Sequence, residues 1–156
     1  MSKKRAKQSS WHEGAQREFL EVYALYAAII DATENADKPR TKQLRRRLFR
    51  TIRRAMKKAR YKGRLLGVLG NATLRNKKRL AILLTSYDVS KKEGDSFNCL
   101  LASCSLAEFF VRDSRDVKKA HYWIARARPL LKRFKRSGMT HDVRLLSQEI
   151  GESSAL

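Results

Sequence analysis

The residues in this sequence best able to do chemistry are the cations of one segment, TKQLRRRLFRTIRRAMKKARYKGR, which covers residues 41–64. No Asp or Glu occurs from Lys38 to Tyr87, a window of 50 residues that contains 18 Lys and Arg. The whole chain has 36 Lys and Arg against 15 Asp and Glu, a net charge of +21, so this window supplies +18 of it. Like charges at this density repel one another, and a compact protein that carries them is expected to bind a polyanion.

Apolar side chains within the segment recur every three or four residues, which predicts an amphipathic helix. The predicted apolar stripe consists of Leu44, Leu48, Ile52, Ala55, Met56 and Ala59. Either Pro39 in the first turn or Thr41 as N-cap begins the helix, and Gly63 is predicted to end it. The remaining circumference carries nine cations: Arg45, Arg46, Arg47, Arg50, Arg53, Arg54, Lys57, Lys58 and Arg60. No Glu separates them, so the helix is expected to be neutralised by an anionic ligand.

Three interpretations of this helix compete: a solvated basic face without a specific role, a surface for an acidic protein or an anionic membrane, and a nucleic-acid interface. The segment is richer in Arg than in Lys, and a guanidinium group suits bidentate contact with phosphate and stacking. The apolar stripe contains two alanines, which suits packing in a core better than insertion among lipid tails. These features favour nucleic acid.

Further cations extend the predicted interface. Tyr61 is a candidate stacking residue, and the flanking cations are Arg75, Lys77, Lys78 and Arg79. A second basic patch consists of Arg126, Arg128, Lys132, Arg133, Lys135 and Arg136, which would hold more backbone or another subunit. One helix face meets on the order of 5–8 phosphates. No Asn or Gln lies within the arginine cluster, so the sequence indicates contacts to the sugar-phosphate backbone rather than base reading.

The elements that position these residues are predicted to be about six helices, giving an all-α bundle. The predicted helices cover 11–35, 41–62, 72–89, 97–112, 117 onward with an interruption at Pro129, and 140–150, where Thr140 is the N-cap and Gly151 the end. Residues 63–70, GRLLGVLG, are predicted to form a short helical turn whose glycines permit close helix approach. The expected organisation is a flexible basic arm at 1–10, one helical domain at 11–151 with a subdivision near 91–96, and a tail at 152–156.

The first predicted helix supplies an apolar face and most of the acids in the N-terminal half. The predicted buried face consists of Ala15, Phe19, Val22, Tyr23, Tyr26 and Ile30, widened by Leu20, Ala24, Ala27 and Ala28. The acids are Glu13, Glu18, Glu21, Asp31 and Glu34. Two uses remain open for them: pairing with the basic helix, or keeping phosphate away from the wrong side.

Residues 100–131, from LLASCSLAEFF through DVKKAHYWIARARPLL, resemble one tetratricopeptide-like helical hairpin. Small residues at Ala102, Ala107, Ala120 and Ala127 carry the resemblance. No second copy is visible, and arrays of such repeats need about three units, so the pattern implies hairpin packing only. The profile of the whole chain, which is small, helical and basic, is similar to that of small helical subunits of ribonucleoprotein assemblies such as CRISPR effector complexes, although no residue motif carries that similarity.

The sequence argues against catalysis and against a metal or cofactor. Cys99 and Cys104 lie five apart on a predicted helix and so face different directions, and the three histidines have no zinc spacing. Asp113 and Asp116 are better explained as turn and cap residues than as a two-metal carboxylate pair. The glycines of 63–70 lack the following Lys-Ser or Lys-Thr of a phosphate-binding loop. We therefore expect a non-enzymatic protein with buried free thiols in a reducing compartment.

The sequence contains no apolar run long enough to span a bilayer and no apolar stretch after its basic start. These features predict a cytoplasmic protein, although KKRAK would act as a nuclear signal in a eukaryote. The overall prediction is a non-catalytic subunit of a nucleoprotein assembly that contacts the RNA or DNA backbone. The alternative is an interaction module for an acidic protein or an anionic membrane surface.

Overall fold

A computed structural model describes the backbone of residues 3–134 and 138–154, and the side chains of residues 19–134 and 138–151. These ranges contain seven α-helices and no strand. In chain order the helices are α1 (Lys3–Glu34), α2 (Lys38–Ala55), α3 (Lys62–Asn71), α4 (Asn76–Glu93), α5 (Ser96–Arg112), α6 (Val117–Leu131) and α7 (Met139–Ser154). The all-α prediction is confirmed, with seven helices rather than about six.

The additional helix is α3, which lies where the sequence predicted only a short turn. Its three glycines lower the helix propensity of the segment, but each faces α4 in a close helix contact. A Cβ atom on Gly63 would lie 1.9 Å from Ser90 Oγ, and one on Gly70 would lie 2.6 Å from Leu83 Cδ2. Tertiary packing therefore outweighs propensity here, and we call this contact between α3 and α4 the glycine seam (Gly63, Gly67 and Gly70).

The glycine seam also explains why α2 is shorter than predicted. Gly63 does not end α2; it lies inside α3, and α2 ends at Ala55. The chain leaves α2 through a tight turn in which Lys57 N donates to Arg54 O and Lys58 N donates to Ala55 O. Lys57 and Lys58 thus belong to this turn, and Arg60 and Tyr61 precede α3. At the other end, Asp37 is the N-cap, with its side chain accepting from Arg40 N.

The buried face of α1 differs from the predicted one by about one residue. Val22, Leu25, Ile29 and Ala32 are buried. Tyr23 and Ile30, which were predicted to be buried, are 43% and 44% exposed. Apolar residues cover a wide arc of this helix, so its sequence does not show which part of the arc meets α2 and α3. The helix also begins at Lys3 rather than near Trp11, and the side chain of Ala15 lies outside the described residues.

Buried apolar side chains form two groups along the chain. The N-terminal group joins α1, α2 and α3 and consists of Val22, Leu25, Ile29, Leu48, Ile52, Ala55, Leu65, Val68 and Ala72. The C-terminal group joins α4 to α7 and includes Leu83, Leu100, Phe109, Trp123 and Ile150. The glycine seam holds the two groups together, so α2 rests on the N-terminal group while α4 forms the wall beside it.

A polar network in the glycine seam ties α3, α4 and α5 together. Ser86 Oγ donates to the Gly63 carbonyl at 2.7 Å, and Asn98 Nδ2 donates to Ser90 Oγ at 2.6 Å. The carboxylate of Glu93, at the end of α4, accepts from Lys62 N at 2.9 Å and Gly63 N at 3.1 Å. It therefore satisfies the first amide groups of α3, which have no partners within their own helix.

The C-terminal half confirms some predicted boundaries and corrects others. Asp95 caps α5 by accepting from Asn98 N, and Asp116, one of the acids attributed to a turn or cap, caps α6 by accepting from Lys119 N. Pro129 lies in the last turn of α6. Thr140 is not a cap, because α7 begins at Met139, and Gly151 lies within α7 rather than ending it. The hairpin of α5 and α6 packs tightly, while its tetratricopeptide-like character stays a prediction.

Candidate nucleic-acid interface

The arginine-rich helix α2 buries a narrow stripe and exposes the rest of its circumference. Leu48, Ile52 and Ala55 are buried against the N-terminal core, together with Thr41 and Thr51. The predicted apolar stripe is thus correct over the length of α2. Five of the six predicted arginines on the helix are exposed, namely Arg46, Arg47, Arg50, Arg53 and Arg54, and Arg45 is half-buried.

Among the described residues, few carboxylates neutralise the positive charge of α2. Of the nine cations predicted at positions 45–60, only Arg47 has a carboxylate at ion-pair distance in the described residues, Glu21 Oε1 at 3.5 Å. Near the start of α2, Arg40 pairs with Asp31 at 3.8 Å. Two of the α1 acids therefore do pair with α2, which settles part of the alternative left open by the sequence. The other arginines of α2 have no carboxylate at ion-pair distance among the described side chains.

One side of α2 bears a depression of about 530 Å³, which we call the arginine depression. It is lined by Arg47, Arg50, Thr51, Arg53 and Arg54, without a carboxylate. Four arginines line this depression, and each guanidinium group presents a fork of N–H donors that matches the oxygens of a phosphate. The nearest internal contacts are weak: Arg50 Nε donates to the Arg46 carbonyl at 3.4 Å, and Arg54 Nη2 donates to Thr51 Oγ1 at 3.4 Å.

The other side of α2 borders a cleft of about 540 Å³ that separates it from α3 and α4. The apolar lining consists of Phe49, Ile52, Met56, Leu66, Leu69, Ala72, Leu74 and Ile82. Cations line both sides of this cleft, which we call its banks. Arg45 and Arg53 lie on the α2 side, and Arg75 and Lys78 lie on the other side, at the start of α4. The predicted flanking cations Arg75 and Lys78 are thus brought to the same site as the α2 arginines, across an apolar floor.

A second depression of about 690 Å³ continues this cleft toward the start of α2 and shares Arg45, Phe49 and Leu74 with it. We call the two together the Phe49 groove. Phe49 is 37% exposed and Leu74 is 71% exposed. Sequence reasoning missed Phe49, although a signal existed: a single aromatic residue lies among arginines and outside the predicted apolar stripe. Arg45 lines both parts of the groove, and its Nε atom is buried without a hydrogen-bond partner among the described residues.

Arg79, one of the predicted flanking cations, forms an ion pair within the protein. Its Nη1 atom pairs with Asp113 Oδ2 at 2.7 Å, its side chain is only 20% exposed, and its guanidinium lies 5.8 Å from the ring centre of Phe109. Arg79 therefore ties α4 to the end of α5 and is not available to a phosphate in this arrangement. Its neighbour Lys77 is exposed.

Tyr61, the predicted stacking residue, already contacts two cations of the protein. The guanidinium groups of Arg60 and Arg64 lie 5.3 and 5.1 Å from its ring centre. Arg64 also binds both carboxylate oxygens of the buried Asp95, with Nη2 to Oδ1 at 3.1 Å, and this hydrogen bonding raises the pKa of Arg64. The sequence did not single out Arg64, whose role depends on an acid 31 residues away.

The second basic patch is built on aromatic rings. The Arg126 guanidinium lies 4.5 Å from the ring centre of Tyr122 and 5.9 Å from that of Tyr87, whose hydroxyl accepts from Arg126 Nη1 at 3.3 Å. Arg133 Nη1 donates to Ser96 Oγ, and Arg128 and Lys132 are exposed. Lys135 and Arg136 lie outside the described residues. Arg126 and Arg128 lie on α6, and Lys132 and Arg133 directly follow that helix.

The described residues contain no group of three or more His, Cys, Asp or Glu side chains arranged to hold a metal ion. Cys99 and Cys104 are buried free thiols, as predicted. Burial raises the pKa of both, to about 12 for Cys104, so this thiol stays protonated near neutral pH. Among the described helices, none is both long and apolar enough to cross a membrane.

Comparison of the chain with protein-family models, with curated proteins and with solved structures finds no match. Its function is therefore inferred from the charge, exposure and shape of the surface around α2.

Proposed function

We propose that the protein is a non-catalytic nucleic-acid-binding protein that holds backbone phosphates of RNA or DNA on α2. One observation supports this above all: the arginine depression gathers four guanidinium groups, of which only Arg47 has a carboxylate partner in the described residues. Helix surfaces kept only for solubility usually mix charges of both signs. A segment of 50 residues that carries 18 cations and no acid repels itself, and a polyanion that neutralises the cations left without an ion pair would relieve this cost.

The chemistry of the cations favours phosphate as the recognised group. Guanidinium groups make charge-assisted, often bidentate hydrogen bonds to phosphate oxygens. Cations on both sides of α2 would follow a backbone that crosses the helix, with Arg50 on one side and Arg75 and Lys78 across the Phe49 groove on the other. Binding through roughly 5–8 phosphates releases counterions, so log K is expected to fall with log salt at a slope of roughly −4 to −7.

The protein is proposed to work as a subunit of a larger intracellular nucleoprotein assembly. Its small size and net charge of +21 support this, since contacts to the phosphate backbone carry no sequence information and other subunits would then supply the selectivity.

The test is fluorescence anisotropy with labelled oligonucleotides over a series of salt concentrations. The double variant Arg50→Gln/Arg54→Gln removes two cations of the arginine depression. It is expected to bind more weakly and to reduce the magnitude of the salt slope by roughly 2. The matched control is Arg144→Gln, which removes one exposed guanidinium from α7, where Arg144 Nη2 lies 3.4 Å from His141 Nδ1. The control should leave affinity and slope close to those of the unmodified protein.

The proposal fails if no RNA or DNA, single- or double-stranded, is bound in dilute buffer. It also fails if the double variant binds as well as the unmodified chain. Tight binding to vesicles of anionic lipid, beside weak nucleic-acid binding with a shallow salt slope, would replace it by the membrane alternative. Circular dichroism of each variant checks that the helices are intact.

A further inference from the structure

We propose that the nucleic acid held on α2 is single-stranded and that its bases enter the Phe49 groove. This inference rests on the proposed function and adds the class of ligand to it. It is carried by the position of an apolar groove between two banks of cations. Arg45 and Arg53 lie on the α2 bank, and Arg75 and Lys78 lie on the α4 bank.

The floor of the Phe49 groove needs a ligand with an apolar face. The part between α2, α3 and α4 is lined mainly by aliphatic and aromatic side chains. Phe49 and Leu74, which line both parts, remain substantially exposed beside charged neighbours. The volumes of its two parts, about 540 and 690 Å³, lie within the range of pockets that enclose organic ligands. A chain of phosphates alone would fill the rim and leave this floor in contact with water.

A single strand offers both properties that the groove requires, and a duplex offers only one. In a duplex the bases are stacked inside and the outer surface is lined by phosphates. Unpaired bases have flat apolar faces that stack on aromatic side chains, while the backbone between them binds a basic groove. Phe49 is placed for such stacking, since it projects from α2 into both parts of the groove.

The shape of the groove disfavours a lipid surface. An interfacial helix buries a protruding apolar face among headgroups, whereas here most of the apolar side chains line a cleft between α2, α3 and α4 that has cations on both sides. The groove is bordered by α2 from Lys38 to Met56, a helix length of about 27 Å at 1.5 Å per residue. This length would accommodate on the order of 4–8 nucleotides, which is within the range of known sites for single strands.

The experiment compares three probes of equal length: a single-stranded oligonucleotide, its duplex, and an abasic strand that keeps the phosphates but lacks the bases. The variants are Phe49→Ala, Phe49→Trp and Arg50→Gln. Phe49→Ala is expected to weaken binding of the single strand about 5- to 100-fold and to change binding of the abasic strand and the duplex by less than about 2-fold. Phe49→Trp should retain single-strand affinity, and its fluorescence should be quenched by the oligonucleotide but not by the abasic strand.

Arg50→Gln is the matched control, because it removes a phosphate contact outside the groove. This replacement should lower the affinity for all three probes by a similar factor. If Phe49→Ala has no effect on the single strand, or weakens all three probes equally, the inference is overturned while the proposed function stands. If no probe binds, the proposed function itself fails. An acidic amphipathic peptide provides a further check. If it binds the unmodified chain but not Phe49→Ala, while Phe49→Ala binds oligonucleotides as well as the unmodified chain does, the groove binds a protein partner and the inference is overturned.

Discussion

At the scale of single residues, Gly63 shows how the absence of a side chain positions the helices that border the Phe49 groove. Its backbone lies so close to Ser90 that a Cβ atom would meet Oγ at 1.9 Å and the amide nitrogen at 2.9 Å. The nitrogen belongs to the backbone of α4 and cannot rotate away. The close approach brings α4, with Lys78, to the far bank of the Phe49 groove.

The replacement Gly63→Ala is expected to destabilise the protein by about 1–3 kcal/mol, since overpacking forces α3 and α4 apart. Gly151→Ala is the matched control, because Gly151 lies within α7 and a Cβ atom added there would meet no atom within 4 Å. There the added methyl group should stabilise the helix by up to about 1 kcal/mol. Urea unfolding of both variants measures the difference, and equal stability of the two would contradict the described contact.

Single-residue roles were only partly predictable from the sequence. The arginines at the centre of the segment were identified because no acid lies near them in sequence. The sequence did not indicate that Arg79 pairs with Asp113, because that acid lies 34 residues further along the chain. Arg64 was missed for the same reason, since Asp95 reaches it only once α3 and α5 are packed. Pairing across the chain is decided by tertiary structure, which local pattern does not contain.

At the scale of elements, α2 is a helix that carries like charges at four-residue spacing. Arg46, Arg50 and Arg54 form two such pairs, and each pair costs roughly 0.2–0.5 kcal/mol. The period of the apolar residues predicted this helix and its buried stripe. The same period could not predict that α2 ends at Ala55. Gly63 resembles a helix stop in the sequence, but it is a packing position within α3.

Replacing Arg50 by Gln is expected to raise the free energy of unfolding of the free protein by a few tenths of a kcal/mol at low salt, since it relieves both repulsive pairs. The gain should disappear at high salt, where exposed charges are screened. Urea unfolding at both salt concentrations, with Arg144→Gln as the control, measures it. A loss of stability at every salt concentration would instead assign Arg50 a structural role.

At the scale of the whole molecule, the chain joins a strongly basic N-terminal group of helices to a more balanced C-terminal group. Composition and periodicity predicted an all-α protein because helix signals are local. They did not predict which helices pair, since the seam between α3 and α4 depends on small residues that meet only in the folded chain. The two basic segments of the sequence suggested one continuous groove, but the position of Phe49 in it was not predictable, because the two sides of the groove come from α2 and α4 and meet only in the folded chain.

Added salt is expected to stabilise the free protein against unfolding and to destabilise the protein bound to nucleic acid. Without nucleic acid, the temperature of unfolding should rise as salt is added to a dilute buffer, because self-repulsion is screened as the Debye length falls from about 30 to about 10 Å. With a single-stranded oligonucleotide at about 100 times its dissociation constant, binding adds about 2.7 kcal/mol, and further salt should remove this gain. Thermal unfolding followed by circular dichroism measures both series, and parallel trends would contradict the prediction.

The carboxylate of Glu93 limits how the protein can be divided by truncation. A fragment that stops before α4 loses this group from the first amides of α3, and it uncovers the glycine-lined side of that helix. A fragment that stops at Gly94 keeps the carboxylate but exposes Leu83, which the C-terminal helices normally cover. Neither piece is expected to remain soluble, so mapping experiments on this protein require point variants of the intact chain rather than deletion products.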